Sequence, residues 1–69
     1  MNVTDSKTLG EAVRAARKRL KVTQKELALA SGTGLRFIID LERGKPTCQL
    51  GKAFGIVRVL GMRLELFES

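Results

Sequence analysis

The side chains able to do chemistry in this 69-residue chain are mostly cationic. Thirteen Lys and Arg stand against seven Asp and Glu, for a formal charge of +6. On so small a body this charge makes a field that attracts polyanions and speeds their association. It is not a terminal tail, because Arg14, Arg17, Lys18, Arg19, Lys21 and Lys25 lie in the patterned interior of the sequence. A second group, Arg36, Arg43 and Lys45, accompanies Asp40. Turned at 100° per residue, Arg36, Asp40 and Arg43 share one side of a helix whose other side holds Gly34, Ile38 and Leu41. An arginine so placed can donate two hydrogen bonds to the edge of a guanine, and Asp40 can accept from a cytosine amino group or orient Arg36 one turn earlier.

Other chemistry is poorly provided for. There is no His to act as a general base or to ligate a metal, and a lone cysteine, Cys48, has no partner for an intramolecular disulfide. Cys48 reads as a small packing residue or an inert thiol. With no phosphate loop and no carboxylate pair set for acid–base work, neither enzymatic activity nor a cofactor or metal is expected. Three Phe with no Tyr or Trp are few stacking platforms for single-stranded RNA. The apolar residues beside the basic cluster are mostly Ala, too small to anchor a helix in lipid. No apolar run reaches the length of a membrane span, and the first six residues lack the regions of a signal peptide. The expectation is a soluble cytoplasmic protein whose partner is nucleic acid, associated with the nucleoid when bound.

The elements that must position these groups are short helices. Residues 1–7 are polar and unpatterned and are expected to fray. Thr8 and Glu11 are spaced as a capping box, and Leu9, Val13, Ala16 and Leu20 form one apolar face of a helix over about 9–20. Thr23 and Glu26 repeat the box, which starts a second helix at Gln24 with Leu27 and Ala30 inward. Gly32 interrupts it, Thr33 is placed to cap the next helix, and that third helix runs from Gly34 to about Arg43, before Gly44 and Pro46. Thr47 is a cap for a fourth helix with Leu50, Phe54, Val57 and Leu60 on one face and Gly61 as terminator. Gly51 and Gly55 within it suggest that another backbone packs closely there. From Met62 the period changes: Met62, Leu64 and Leu66 alternate with Arg63, Glu65 and Phe67, the pattern of a strand over 62–67. No second strand exists in the chain to pair with it, so the strand predicts pairing across a two-fold homodimer through Met62, Leu64 and Leu66, or a wet edge against the helices. The whole of 1–69 reads as one domain.

Two short helices joined by a Gly-containing turn across 23–45 make a helix-turn-helix, in which the first helix crosses the DNA backbone and the second enters the major groove. Small Ala28 and Gly32 suit a close crossing of the two. Arg36 is the leading base reader, and Leu35 can touch a thymine methyl. Gln24, Lys25, Thr33, Arg43 and Lys45 are placed for phosphate. The bland reading of each basic side chain is a solvated surface charge. Phe37 and Ile39 lie at the borders of the apolar face and are expected to widen the core.

The run Thr-Gln-x-Glu-Leu-Ala at 23–28, with Gly32-Thr33, Ile38 and Leu41-Glu42-x-Gly-Lys, resembles the Cro and phage-repressor class of helix-turn-helix proteins, the XRE family. The likeness spans about 8–60 and implies an all-α, four-helix, lambda-repressor-like domain. It implies base contacts from Gly34, Leu35, Arg36 and Asp40, a phosphate clamp at Gln24, and an ion pair between Arg17 and Glu42. Glu42 near a helix C-terminus is disfavoured by the macrodipole, which gives that carboxylate its own reason to seek a cation. Within the family, Glu-Arg-Gly-Lys-Pro-Thr at 42–47 and Gly-x-Arg-Leu-Glu-Leu at 61–66 are similar to HipB-like antitoxins. That resemblance implies a homodimeric repressor of its own operon, bound to a palindromic operator and to a HipA-like kinase toxin. The rival is a protein-interaction module that keeps the scaffold and acts chiefly by inhibiting a partner.

Overall fold

A computed structural model describes residues 2–46 and 49–68. Four helices follow in order: α1 (Ser6–Arg19), α2 (Gln24–Ser31), α3 (Leu35–Glu42) and α4 (Leu50–Val59). α3 packs on α1 and α2, and α4 packs on α2. Val13 and Ala16 of α1, Leu27 and Ala28 of α2, Ile38 and Leu41 of α3, and Ala53, Ile56 and Leu60 at α4 form the core, with Leu9, Val22, Phe37 and Met62 against its edge.

α1 begins earlier than its apolar pattern. Asp5 is the cap: its carboxylate accepts from the Thr8 amide at 2.8 Å, and Thr8 Oγ1 accepts from the Asp5 amide at 3.1 Å. The bond from the Thr8 amide, and a second from the Thr8 hydroxyl to the same carboxylate at 2.9 Å, hold the Asp5 carboxyl below its usual range. Thr8 is therefore the third helical residue rather than the cap, and Ser6 and Lys7 are helical rather than frayed. The first turn escapes a periodicity reading because it carries no apolar residue. At the other end Leu20 is the C-cap and 52% exposed, outside the core expected for it.

α2 starts as its spacing predicts. Thr23 Oγ1 accepts from the Glu26 amide at 3.0 Å and the Thr23 amide donates to Glu26 Oε1 at 2.9 Å, which lowers the Glu26 pKa. The inward residue beside Leu27 is Ala28, not Ala30, which is exposed. Gly32 ends the helix at φ 70°, a left-handed conformation that glycine adopts without steric cost. Thr33 does not cap α3. Its hydroxyl lies 3.0 Å from that of Ser31, and Gly34 is an exposed N-cap with no side-chain bond, not part of the buried face.

The close helix crossing is at Gly10, which the apolar periodicity passes over. A β-carbon there would collide with the Leu41 carbonyl oxygen and stand 2.9 Å from that of Glu42, whereas one at Gly32, Gly51 or Gly55 would meet nothing within 4 Å. The glycines of α4 are thus not the packing sites expected of them. Gly10→Ala is expected to lower stability by about 1–3 kcal/mol through overpacking against backbone that cannot yield. Gly51→Ala, in open space, should instead raise it by up to about 1 kcal/mol. Denaturant midpoints of the two variants check this, and equal midpoints would show that the crossing at Gly10 is not tight.

The buried face of α4 is rotated from the one expected. Ala53, Ile56, Val57 and Leu60 are inside, while Leu50 and Phe54 are exposed. Small Ala53 takes a fully buried position in the core, and the larger side chains fall to the flank. The Thr47 cap and Cys48 lie outside the described residues. Among the described residues no strand is formed, and 62–68 have no regular structure, although Met62 packs on the core. No described helix is long and apolar enough to cross a membrane.

Candidate nucleic-acid interface

The site rests on an ion pair at the C-terminal end of α3. Arg17 Nε donates to Glu42 Oε2 at 2.6 Å and its Nη2 to Oε1 at 3.1 Å, a two-pronged contact between side chains only 11% and 4% exposed. Arg17 Nη1 also donates to the Val22 carbonyl at 2.8 Å, and Gln24 Nε2 donates to Glu42 Oε1 at 3.1 Å. One carboxylate at the end of α3 therefore ties together α1, the start of α2 and α3. The turn before α2 is shaped to allow it, with Lys21 left-handed at φ 59° and the Val22 amide bonded back to the Arg17 carbonyl.

With its C-terminal end held, α3 presents its first turn. Leu35 is 42% exposed and the Arg36 side chain 70% exposed, both in the first turn of a helix that no side chain caps. Amide donors and the positive helix end are thus open to an anion or to a groove edge. Asp40 lies one turn on, its side chain 31% exposed, with Arg36 Nε at 3.3 Å from its Oδ1. Lys45 Nζ reaches the same oxygen at 3.6 Å. Arg43 is the exposed C-cap of α3, and Lys25 is exposed on α2.

Two candidates are less free than their spacing suggests. Gln24 is half-buried and commits one amide hydrogen to Glu42, so at most one remains for any other acceptor. Thr33 faces Ser31. Phe37 is half-buried against the core with Lys52 Nζ 5.7 Å from its ring centre, a cation–π contact between α4 and α3 that no sequence pattern signals.

An open groove of about 320 Å³ adds Arg14 to the residues that spacing alone assigns to the site. It is lined by Arg14, Gln24, Ile39, Glu42 and Arg43. Arg14 precedes Arg17 by one turn of α1 and so shares the side that the ion pair presses on α3, a relation already implicit in the spacing. Glu42 is neutralised by Arg17, so the groove carries the charge of two arginines.

The helix-turn-helix family matches residues 13–67, which take in all of α2, the turn and α3. The chain belongs to that family. Its XRE-type character agrees with a 47% identity over 58 residues to the HTH-type transcriptional regulator y4mF of Sinorhizobium fredii, covering 84% of this chain and 76% of that one. Among solved structures, this member of the family is similar to a chain in a HipA-HipB-O2-O3 complex, with TM-score 0.87, 23% identity and coverage of 100% and 97%. It is also similar to the restriction-modification controller protein C.AhdI of Aeromonas hydrophila, with TM-score 0.76, 22% identity and coverage of 84% and 88%. The clp gene regulator ClgR of C. glutamicum matches with TM-score 0.78 at 28% identity, covering 93% and 82%. At identities under 25% the first two structural likenesses speak to fold alone.

Proposed function

We propose that the chain is a homodimeric, sequence-specific DNA-binding repressor in which α3 enters the major groove. The observation that carries this is the pairing of a buried anchor with an open reading end: Arg17–Glu42 holds the C-terminal end of α3 while Leu35 and Arg36 stand exposed at its uncapped start. Arg36 reads guanine, Leu35 meets a thymine methyl, and the Gly34 backbone, having no side chain, lets the helix end approach the bases. Gln24, Lys25, Thr33, Arg43 and Lys45 bind phosphate and set register.

The tail supplies the dimer. Leu66 is fully exposed, Phe67 nearly so and Leu64 40% exposed, whereas Met62 is shared with the core of its own chain. Arg63 Nη2 lies 2.9 Å from Glu65 Oε1, so alternate residues already share a side, as in a strand. Pairing of two tails satisfies their free backbone groups and covers the leucines. The variant Leu64→Asp/Leu66→Asp, which leaves Met62 in place, is expected to sediment as a monomer; a dimer of unchanged strength would remove the tail from the interface. Selection from random duplexes tests the whole reading. The expected motif is two-fold symmetric, with half-sites about one helical turn apart. Failure to enrich any motif would contradict it.

Within this reading the chain is the antitoxin of a HipBA-like operon, repressing that operon and binding a kinase toxin. Support comes from the 42–47 and 61–66 segments and from a structural likeness to the HipA-HipB-O2-O3 chain that extends over the whole of this chain, tail included. A neighbouring reading frame whose kinase product co-purifies with this chain is the expected finding. Partner inhibition without DNA binding would favour the interaction-module role instead.

A further inference from the structure

Asp40 lies where two cations of different purpose converge. Its Oδ1 is shielded from solvent and accepts no hydrogen bond, yet Arg36 Nε and Lys45 Nζ lie 3.3 and 3.6 Å from it. Arg36 arrives from one turn earlier on α3. Lys45 arrives because the chain reverses at Gly44, φ 80°, after which the Lys45 amide donates to the Asp40 carbonyl at 3.1 Å. Phe37, Leu41, Pro46 and Gln49 complete the wall around the carboxylate.

Both cations are themselves largely exposed, with side chains 70% and 55% accessible, so neither needs Asp40 to offset burial. The carboxylate is a cost to a surface that must meet phosphates, since it reduces the positive field at the place of contact. A direct base contact by this residue would still have to compete with two cations for the same group.

Resting on the DNA-binding reading above, we infer that Asp40 is a positioning residue which couples base reading by Arg36 to phosphate binding by Lys45. Drawing Arg36 in through Nε leaves its two terminal nitrogens for guanine and biases the guanidinium toward that side. Holding Lys45 masks its charge until a correctly placed phosphate competes for it. On the wrong sequence Lys45 stays with Asp40 and binding is weak; on the right one Lys45 passes to phosphate as Arg36, still beside Asp40, meets its guanine.

The sign of the predicted effect is unusual for an interface residue. Asp40→Asn keeps the size of the side chain and removes its charge. It is expected to tighten binding to a scrambled duplex several-fold and to steepen the dependence of log affinity on log salt by about one unit per chain as Lys45 becomes a free phosphate ligand. The ratio of affinities for selected over scrambled duplex should fall about tenfold. Adding Lys45→Ala should return the salt slope to that of the parent, and Asp40→Asn should cause no further loss of preference in an Arg36→Ala background. The proposal is overturned if Asp40→Asn leaves both duplex affinities unchanged. It is also overturned if the lost preference falls at a base pair of its own and persists without Arg36, which would make Asp40 a direct reader. A parent protein that does not distinguish the two duplexes would instead overturn the DNA-binding reading itself, and this inference with it.

Discussion

Glu42→Ala is expected to cost about 3–5 kcal/mol of folding stability, because it leaves a guanidinium buried without its counter-ion. Arg17, 11% exposed, would keep only the Val22 carbonyl, and Gln24 would lose its acceptor. A domain of this length has a total stability of roughly 3–10 kcal/mol, so the variant should be largely unfolded near physiological temperature. The double replacement Arg17→Met/Glu42→Leu separates two accounts of the loss. Where the pair itself is the source of stability, the double variant should be as damaged as the single one; where the unpaired charge is the damage, it should regain most of the loss. We expect the second result in chemical denaturation, together with a loosened α3 and weaker DNA binding. A loss under about 1 kcal/mol for Glu42→Ala would mean that the pair behaves as an exposed one.

The second large effect is on reading. A bidentate arginine–guanine contact discriminates by about 1–3 kcal/mol, and two half-sites in a dimer double it to about 2–6 kcal/mol. Arg36→Ala should therefore abolish most preference at one position in each half-site. Lys25→Ala and Arg43→Ala, at the proposed phosphate ligands, should weaken binding to all sequences alike and lower the salt slope by about one unit for each phosphate left without its cation.

The parts of this architecture legible in the sequence are those written in local chemistry. The Thr23–Glu26 box announces α2 because both its bonds form within one turn. The Arg17–Glu42 pair is accessible through family resemblance and through the poor placement of a carboxylate at a helix end. The features that escape depend on how helices meet. Gly10 is a gap in an apolar pattern until Leu41 and Glu42 are laid against it. The buried face of α4 is misplaced by a pattern weighted toward large side chains, because small Ala53 is fully buried beside Ile56 while Leu50 and Phe54 are exposed. Asp5 escapes as a cap because the first apolar residue of the helix is Leu9. The Arg36 and Asp40 pairing is legible as a spacing, but the arrival of Lys45 on the same oxygen needs the reversal at Gly44.

That α3 reads DNA through its first turn is tested most directly by the affinities of the parent and of Arg36→Ala for the selected duplex and a scrambled one, at a single salt concentration. The parent should prefer the selected duplex strongly, and Arg36→Ala should reduce that preference by at least about 30-fold for the dimer while binding the scrambled duplex within a few-fold of the parent. An Arg36→Ala protein that folds and keeps the parent's preference would contradict the account.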